Sequence, residues 1–169
     1  MDANALKALQ APIKERYRET PDAALVTLRA EGAIGEGLTC SVQTSKALIE
    51  AGLHPATGGS GFQACSGDML LEALVACAGV TLNAVATALG LDIGEAKIRA
   101  EGDLDFRGTL GVDKQAPVGF RDIRLHFDIG GNLTQEQRDT LLKLTERYCV
   151  VYQTLRTAPP IAVEMRETA

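Results

Sequence analysis

The chain has 169 residues and little of what would mark several common protein classes. It has no Cys-x-x-Cys pair, and its four cysteines, Cys40, Cys65, Cys77 and Cys149, are too few and too scattered for a disulfide scaffold. With only His54 and His126 to join them, a structural zinc site is not expected. The net charge of -5, with no cluster of Lys and Arg, argues against a nucleic-acid partner. Met1 to Gln10 shows no apolar stretch followed by a small-residue cleavage site, so no secretory signal is expected and the cytoplasm is the expected compartment. The loop from His54 through Gly61 is rich in glycine, but it lacks the Gly-Lys-Ser/Thr ending and the preceding buried strand of a phosphate-binding loop. No internal repeat or low-complexity tract breaks the chain, whose length suits one domain with an arm: a helical arm over 1–20 and one α+β domain over 21–169.

What is present is one long apolar run. After Glu72 no charge occurs until Asp92, so a helix beginning near Ser66 and ending at Gly90 is apolar nearly all round and needs protein on every side. Ser66 is a candidate cap, and Asp68 lies in the first turn, where the helix dipole favours an anion. A run of about 18 apolar residues also fits a bilayer. Here much of it is Ala, Gly and Thr, Asn83 lies near its centre, and no Lys or Arg flanks it closely, so no membrane partner is expected. A thiol, Cys77, sits at its midpoint.

The remaining elements follow from periodicity. Leu6, Leu9, Ile13 and Tyr17 fall on one helical face, with an interruption or bend expected near Pro12. Residues 23–30 and 38–44 read as a hairpin around a turn at Gly32 to Gly37, with a third strand over 46–51. Lys97 to Phe106 and Phe120 to Ile129 read as strands joined by a long loop. In the second, Ile123, Leu125, Phe127 and Ile129 alternate with charged residues and His126, so one face is wet. Thr134-Gln-Glu-Gln137 is a capping-box pattern opening a second helix that delivers Cys149. Pro159-Pro160 precedes an alternating segment, Ile161 to Met165, expected as a last strand. Helices thus alternate with antiparallel pairs, which fits α+β better than a doubly wound sheet. His54, before Pro55, reads as a turn residue, and Cys40 alternates with Leu38 and Val42 as core.

The run Asp68-Met-Leu-Leu-Glu-Ala-Leu-Val-Ala-Cys77, with the Thr-Leu continuation after it, Ile98-Arg-Ala-Glu-Gly102 and Tyr148-Cys149-Val-Val, resembles the OsmC/Ohr family of osmotically inducible and organic hydroperoxide resistance proteins over about residues 22 to 166. The resemblance implies an intertwined homodimer in which antiparallel sheets wrap two long central helices, with active sites at the subunit interface. It further implies a thiol-dependent peroxidase. Cys77 attacks an organic hydroperoxide to give a sulfenic acid, and Cys149 closes a disulfide that an external dithiol reductant reopens, with no bound cofactor.

That chemistry needs a lowered thiol pKa, from a cation or a helix N-terminus. Peroxidase members of the family place an Arg in a Gly-Gly-Arg turn and pair it with a Glu before the helix cysteine. The matching turn here, Glu31-Gly-Ala-Ile-Gly35, has no Arg, and the second motif reads Tyr148-Cys149-Val150 rather than His-Cys-Pro. Asp68 and Glu72 are the carboxylates available in the helix, Arg29 or Arg147 the stand-in cations, and Cys65 a secondary redox candidate. The alternative that the resemblance allows is a non-enzymatic stress protein that senses redox state or binds an apolar ligand.

Overall fold

The computed structural model describes residues 3–34, 40–42, 52–62, 64–165 and 167. In chain order it comprises α1 (Ala3–Glu19), a 3-10 turn (Pro21–Ala24), β1 (Leu25–Ile34), β2 (Cys40–Val42) and a 3-10 turn (Pro55–Thr57). There follow α2 (Ser66–Leu89), β3 (Ala96–Asp105), α3 (Phe106–Thr109), β4 (Phe120–Ile129), α4 (Gln135–Tyr148) and α5 (Val150–Arg156). The strands form one antiparallel sheet in the order β2-β1-β3-β4. This is an α+β architecture in which α2 lies across one sheet face and α4 and α5 pack on α2.

The alternation of β3 explains the layering. Ala96, Ile98, Ala100, Gly102 and Leu104 point into the core and Lys97 and Arg99 point away, so a single residue's shift in register would expose the whole apolar set. Gly102 is needed for packing. A Cβ there would lie 2.5 Å from the Phe120 ring and 3.4 Å from Leu71 of α2, so its absence lets an aromatic of β4 and a leucine of α2 close over the strand.

α2 presents Leu71, Leu74, Val75, Ala78, Gly79, Leu82 and Ala86 to this core. Each large side chain so buried contributes on the order of 1.5–3 kcal/mol. By length and composition α2 is the one helix among the described residues that could cross a membrane. It ends at Gly90, whose φ of 65° is the left-handed conformation that closes a helix. The Leu91 N–H returns to the Ala86 carbonyl at 2.9 Å and the Gly90 N–H to Thr87 at 3.1 Å, a Schellman arrangement.

Several expectations change. The opposite face of α2 is left partly open by the described residues: Leu70, Val80 and Leu89 are 37%, 38% and 43% exposed, because one sheet can shield only one side of a rod. Ser66 is the first helical residue and Cys65 occupies the N-cap, without a side-chain capping bond. α1 runs unbroken through Pro12. β1 continues past Gly32 to Ile34, since pairing with β3 and β2 on either side holds the strand where composition suggests a turn. The segment Ile161 to Met165 forms no strand. Alternation supplies the faces but not a partner ladder, and Ile161, Val163 and Met165 are 81%, 91% and 96% exposed. The expected third strand over 46–51 lies outside the described residues.

The arm docks locally. Tyr17 is fully buried and its hydroxyl donates to the Ala56 carbonyl at 2.6 Å, so α1 grips the turn that carries His54.

Candidate functional site

Cys77 stands halfway along α2, at the border between its buried face and its open one, and is half-buried. Cys149 is placed by a break between two helices. The capping box of α4 forms as the sequence suggests: the Gln137 N–H donates to the Thr134 hydroxyl, and the Thr134 N–H to the Gln137 side chain. At its far end Cys149 leaves helical geometry, with ψ at 108°, and α5 starts immediately after it. The residue therefore closes one helix and opens the next. Its N–H reaches back to the Thr145 carbonyl, and its Sγ accepts the Tyr152 N–H at 3.4 Å. It is 1% exposed.

The break aims the start of α5 at Cys77. The groups that act on the Cys77 sulfur are the backbone N–H groups of Val150 and Val151, the Cys149 thiol and the Thr81 hydroxyl. Burial is the largest single influence on Cys77 and pushes its pKa up. The Val151 amide, the Cys149 thiol, the Val150 amide and the Thr81 hydroxyl together outweigh it and hold the thiol below its ordinary value. All four of these groups are neutral.

Cys149 goes the other way. Burial raises it, the Tyr152 amide opposes that, and the hydrogen bond and charge of Cys77 add to the rise, leaving it at about 11. The two thiols thus act on each other in opposite directions, and Cys77 is the one that ionises first. The lowered Cys77 and the raised Cys149 make a thiolate beside a thiol the favoured form of the singly ionised pair.

The candidate supporting groups lie elsewhere. Asp68 faces His54 at the start of α2. Burial raises its pKa and the His54 charge partly offsets this, while Glu72 is raised by burial and then by the charge of Asp68 one turn away. His54 is more than a loop residue. Its Nδ1 accepts the Ala56 N–H at 3.0 Å and its ring stacks on Phe106 at 5.0 Å, so it caps the turn that α1 grips. Cys65 is half-buried at the N-cap of α2.

Arg147 is exposed, with its guanidinium 5.6 Å from the ring centre of its neighbour Tyr148. The backbone of Arg29 pairs with Glu101 in the sheet, and its side chain lies outside what the structure describes, as does that of Cys40. His126 is exposed, in keeping with its place on the polar side of β4. No cluster of three or more His, Cys, Asp or Glu that could hold a metal occurs among the described residues.

Sequence reasoning missed Thr81 and the two valine amides. The first was visible as a hydroxyl at i+4 from the cysteine. The amides were not, because their aim depends on where α4 breaks.

The family model described as OsmC-like protein matches residues 58–164. Two solved structures share the fold. One is an OsmC-like hydroperoxide resistance protein from Jannaschia sp. CCS1, at 14% identity and a TM-score of 0.62, covering 85% of this chain and 95% of that one. The other is an OsmC-like protein from Mycoplasma pneumoniae, at 20% identity and 0.55, covering 76% and 86%. No curated protein matches the chain by sequence.

Proposed function

This chain belongs to the OsmC-like protein family, and on that premise we propose that it reduces organic hydroperoxides with Cys77 as the attacking thiolate and Cys149 as the resolving thiol. The observation that carries the reading is the opposed tuning of two coupled thiols: one half-buried and lowered, the other buried and held at about 11. A peroxidatic thiol must be ionised and reachable, whereas a resolving thiol must wait.

In the first step the Cys77 thiolate attacks the terminal peroxide oxygen. The O–O bond breaks, the alkoxide leaves and takes a proton to become an alcohol, and Cys77 becomes a sulfenic acid. The negative charge that held up Cys149 is then gone, and the Tyr152 amide favours its thiolate. Cys149 attacks the Cys77 sulfur, a disulfide forms and water leaves. The two electrons accepted by the peroxide have come from the two sulfurs. An external dithiol returns them by thiol–disulfide exchange.

The working unit of this proposal is a homodimer. The open stripe of α2 on which Cys77 borders and the bare Ile161, Val163 and Met165 are apolar surface of the kind that a second copy covers. A second reading, an apolar-ligand or redox-sensing protein without turnover, has one observation in its favour. A groove of about 700 Å³ between β4 and the last two helices is lined by Leu74, Phe120, Ile123, Leu125, Tyr152 and Leu155.

The test is consumption of cumene hydroperoxide with dithiothreitol as reductant. The peroxidase reading expects turnover that Cys77→Ser abolishes. If wild type and Cys77→Ser consume peroxide alike, the peroxidase reading is lost and the second stands.

A further inference from the structure

We propose that Gln153 is a positioning residue for Cys149, its side-chain amide donating to the Glu146 carbonyl across the α4–α5 junction and so holding the helix broken at the residue that carries the thiol. The inference rests on Cys149 being the resolving thiol. It starts from a break that the local sequence does not demand. From Gln135 to Arg156 the chain contains no Gly and no Pro, the residues that ordinarily end a helix, yet Cys149 sits at a ψ of 108° between two helices.

In an unbroken helix the Glu146 carbonyl accepts the N–H of residue 150. The extended ψ of Cys149 turns that N–H off the axis of α4. In its place the Gln153 Nε2 donates to the Glu146 carbonyl at 2.7 Å, from seven residues further on. Along one straight helix those residues stand about 10 Å apart, beyond the reach of the side chain, so the bond exists because of the break. The Gln153 N–H meanwhile donates to the Cys149 carbonyl at 2.9 Å and closes the first turn of α5, which the Cys149 sulfur caps by accepting the Tyr152 N–H at 3.4 Å. One residue thus holds Cys149 from both sides, by its backbone to the helix that follows and by its side chain to the helix that precedes.

With seven residues α5 is too short to be stable as an isolated helix, so its angle to α4 is set by what it touches. Val151, Tyr152 and Leu155 pack against the core, and Gln153, half-buried, supplies the polar tie. Without that amide the Glu146 carbonyl is free to take back the Val150 N–H, which draws residue 149 into helical geometry and runs the two helices together. The sulfur then leaves the position in which the break holds it.

The experiment follows the Cys77–Cys149 bridge against time in the reduced full chain oxidised by diamide, which takes two electrons and two protons from a pair of thiols, by mass spectrometry of the digested, unreduced protein. Wild type is compared with Gln153→Met, Gln153→Leu and Gln153→Lys, and Tm is measured for each. Met and Leu fill the space without a donor and are expected to form the bridge about two- to ten-fold more slowly, the size of one hydrogen bond, with Tm within about 4 °C of wild type. Lys carries a donor at similar reach and restores the wild-type rate. Two donor-free variants guard against one that does not fold. Met and Leu bridging as fast as wild type, Lys bridging as slowly as they do, or a wild type that forms no such bridge overturns the proposal. Because no peroxide is present, slowed bridging in a protein without peroxide turnover upholds the role of Gln153 and sinks the peroxidase reading alone, and turnover with unchanged bridging does the reverse.

Discussion

The first two turns of α2 and its middle hold ionisable groups in opposite ways. At the start, Asp68 and Glu72 stand one turn apart as like charges, partly buried, and each is pushed toward its protonated form. His54, the group that eases Asp68, is itself lowered by burial. In the middle, burial acts in the same sense on Cys77, yet neutral donors from α5 and from Thr81 reverse it. Burial alone therefore decides nothing about a group's charge state. What decides it is whether oriented donors converge on the group, and a helix that begins beside a neighbour's midpoint supplies them without bringing in a cation.

The largest expected effect lies in the middle. Cys77→Ser is expected to bring thiol-dependent peroxide consumption down to the uncatalysed background. Cys149→Ser leaves one round of Cys77 oxidation, read as a sulfenic acid trapped by dimedone, but no sustained turnover. Next comes the scaffold that the two regions share. Leu71 is fully buried against the sheet, and Leu71→Ala is expected to cost about 2–5 kcal/mol, a fall in Tm on the order of 10 °C by calorimetry.

Smaller effects separate the two regions by pH. His54 has its folded pKa below the unfolded 6.5, so its contribution to stability is present above 6.5 and lost as the pH falls through 6.5 toward the folded value. The proton would have to go onto Nδ1, which already accepts the Ala56 N–H. His54→Asn keeps an acceptor there without titrating, and is expected to flatten that part of a urea-denaturation pH series.

Asp68 behaves oppositely. Its folded pKa is raised above the unfolded 3.8, so its contribution is present below 3.8 and lost as the pH rises through the folded value. Asp68→Asn is accordingly expected to leave stability at pH 7 unchanged or slightly raised.

The smallest effect is on the outer face of the sheet. There Asp103 accepts from Arg124 at 2.6 Å and from Thr27 at 2.6 Å and is lowered to about 2. Its contribution is present above 3.8 and lost between 3.8 and about 2. Both partners are a third exposed, so Asp103→Asn is expected to shift only the acid limb of the curve.

Much of this architecture is written locally. The charge-free run gives α2, the alternation gives β3 and β4, and Thr134 with Gln137 gives the start of α4, because each depends on residues a few positions apart. Three things were not legible. Ile161 to Met165 alternates as a strand would, but a strand also needs a second chain segment, which local sequence does not specify. Gly32 reads as a turn and is held extended by neighbours more than sixty residues away. At the site, the positions of Cys77 and Cys149 could be read from the resemblance, but the source of the lowered pKa could not. The search for a cation pointed to Arg29 and Arg147, whereas the donors are backbone amides whose direction is set by a helix break at residue 149.

The most direct measurement of the central claim is a disulfide map after one equivalent of an organic hydroperoxide, by mass spectrometry of the digested, unreduced protein. The account expects one new bridge, between Cys77 and Cys149, and none in Cys77→Ser. A map in which Cys77 stays free, or is joined to Cys65 instead, contradicts it.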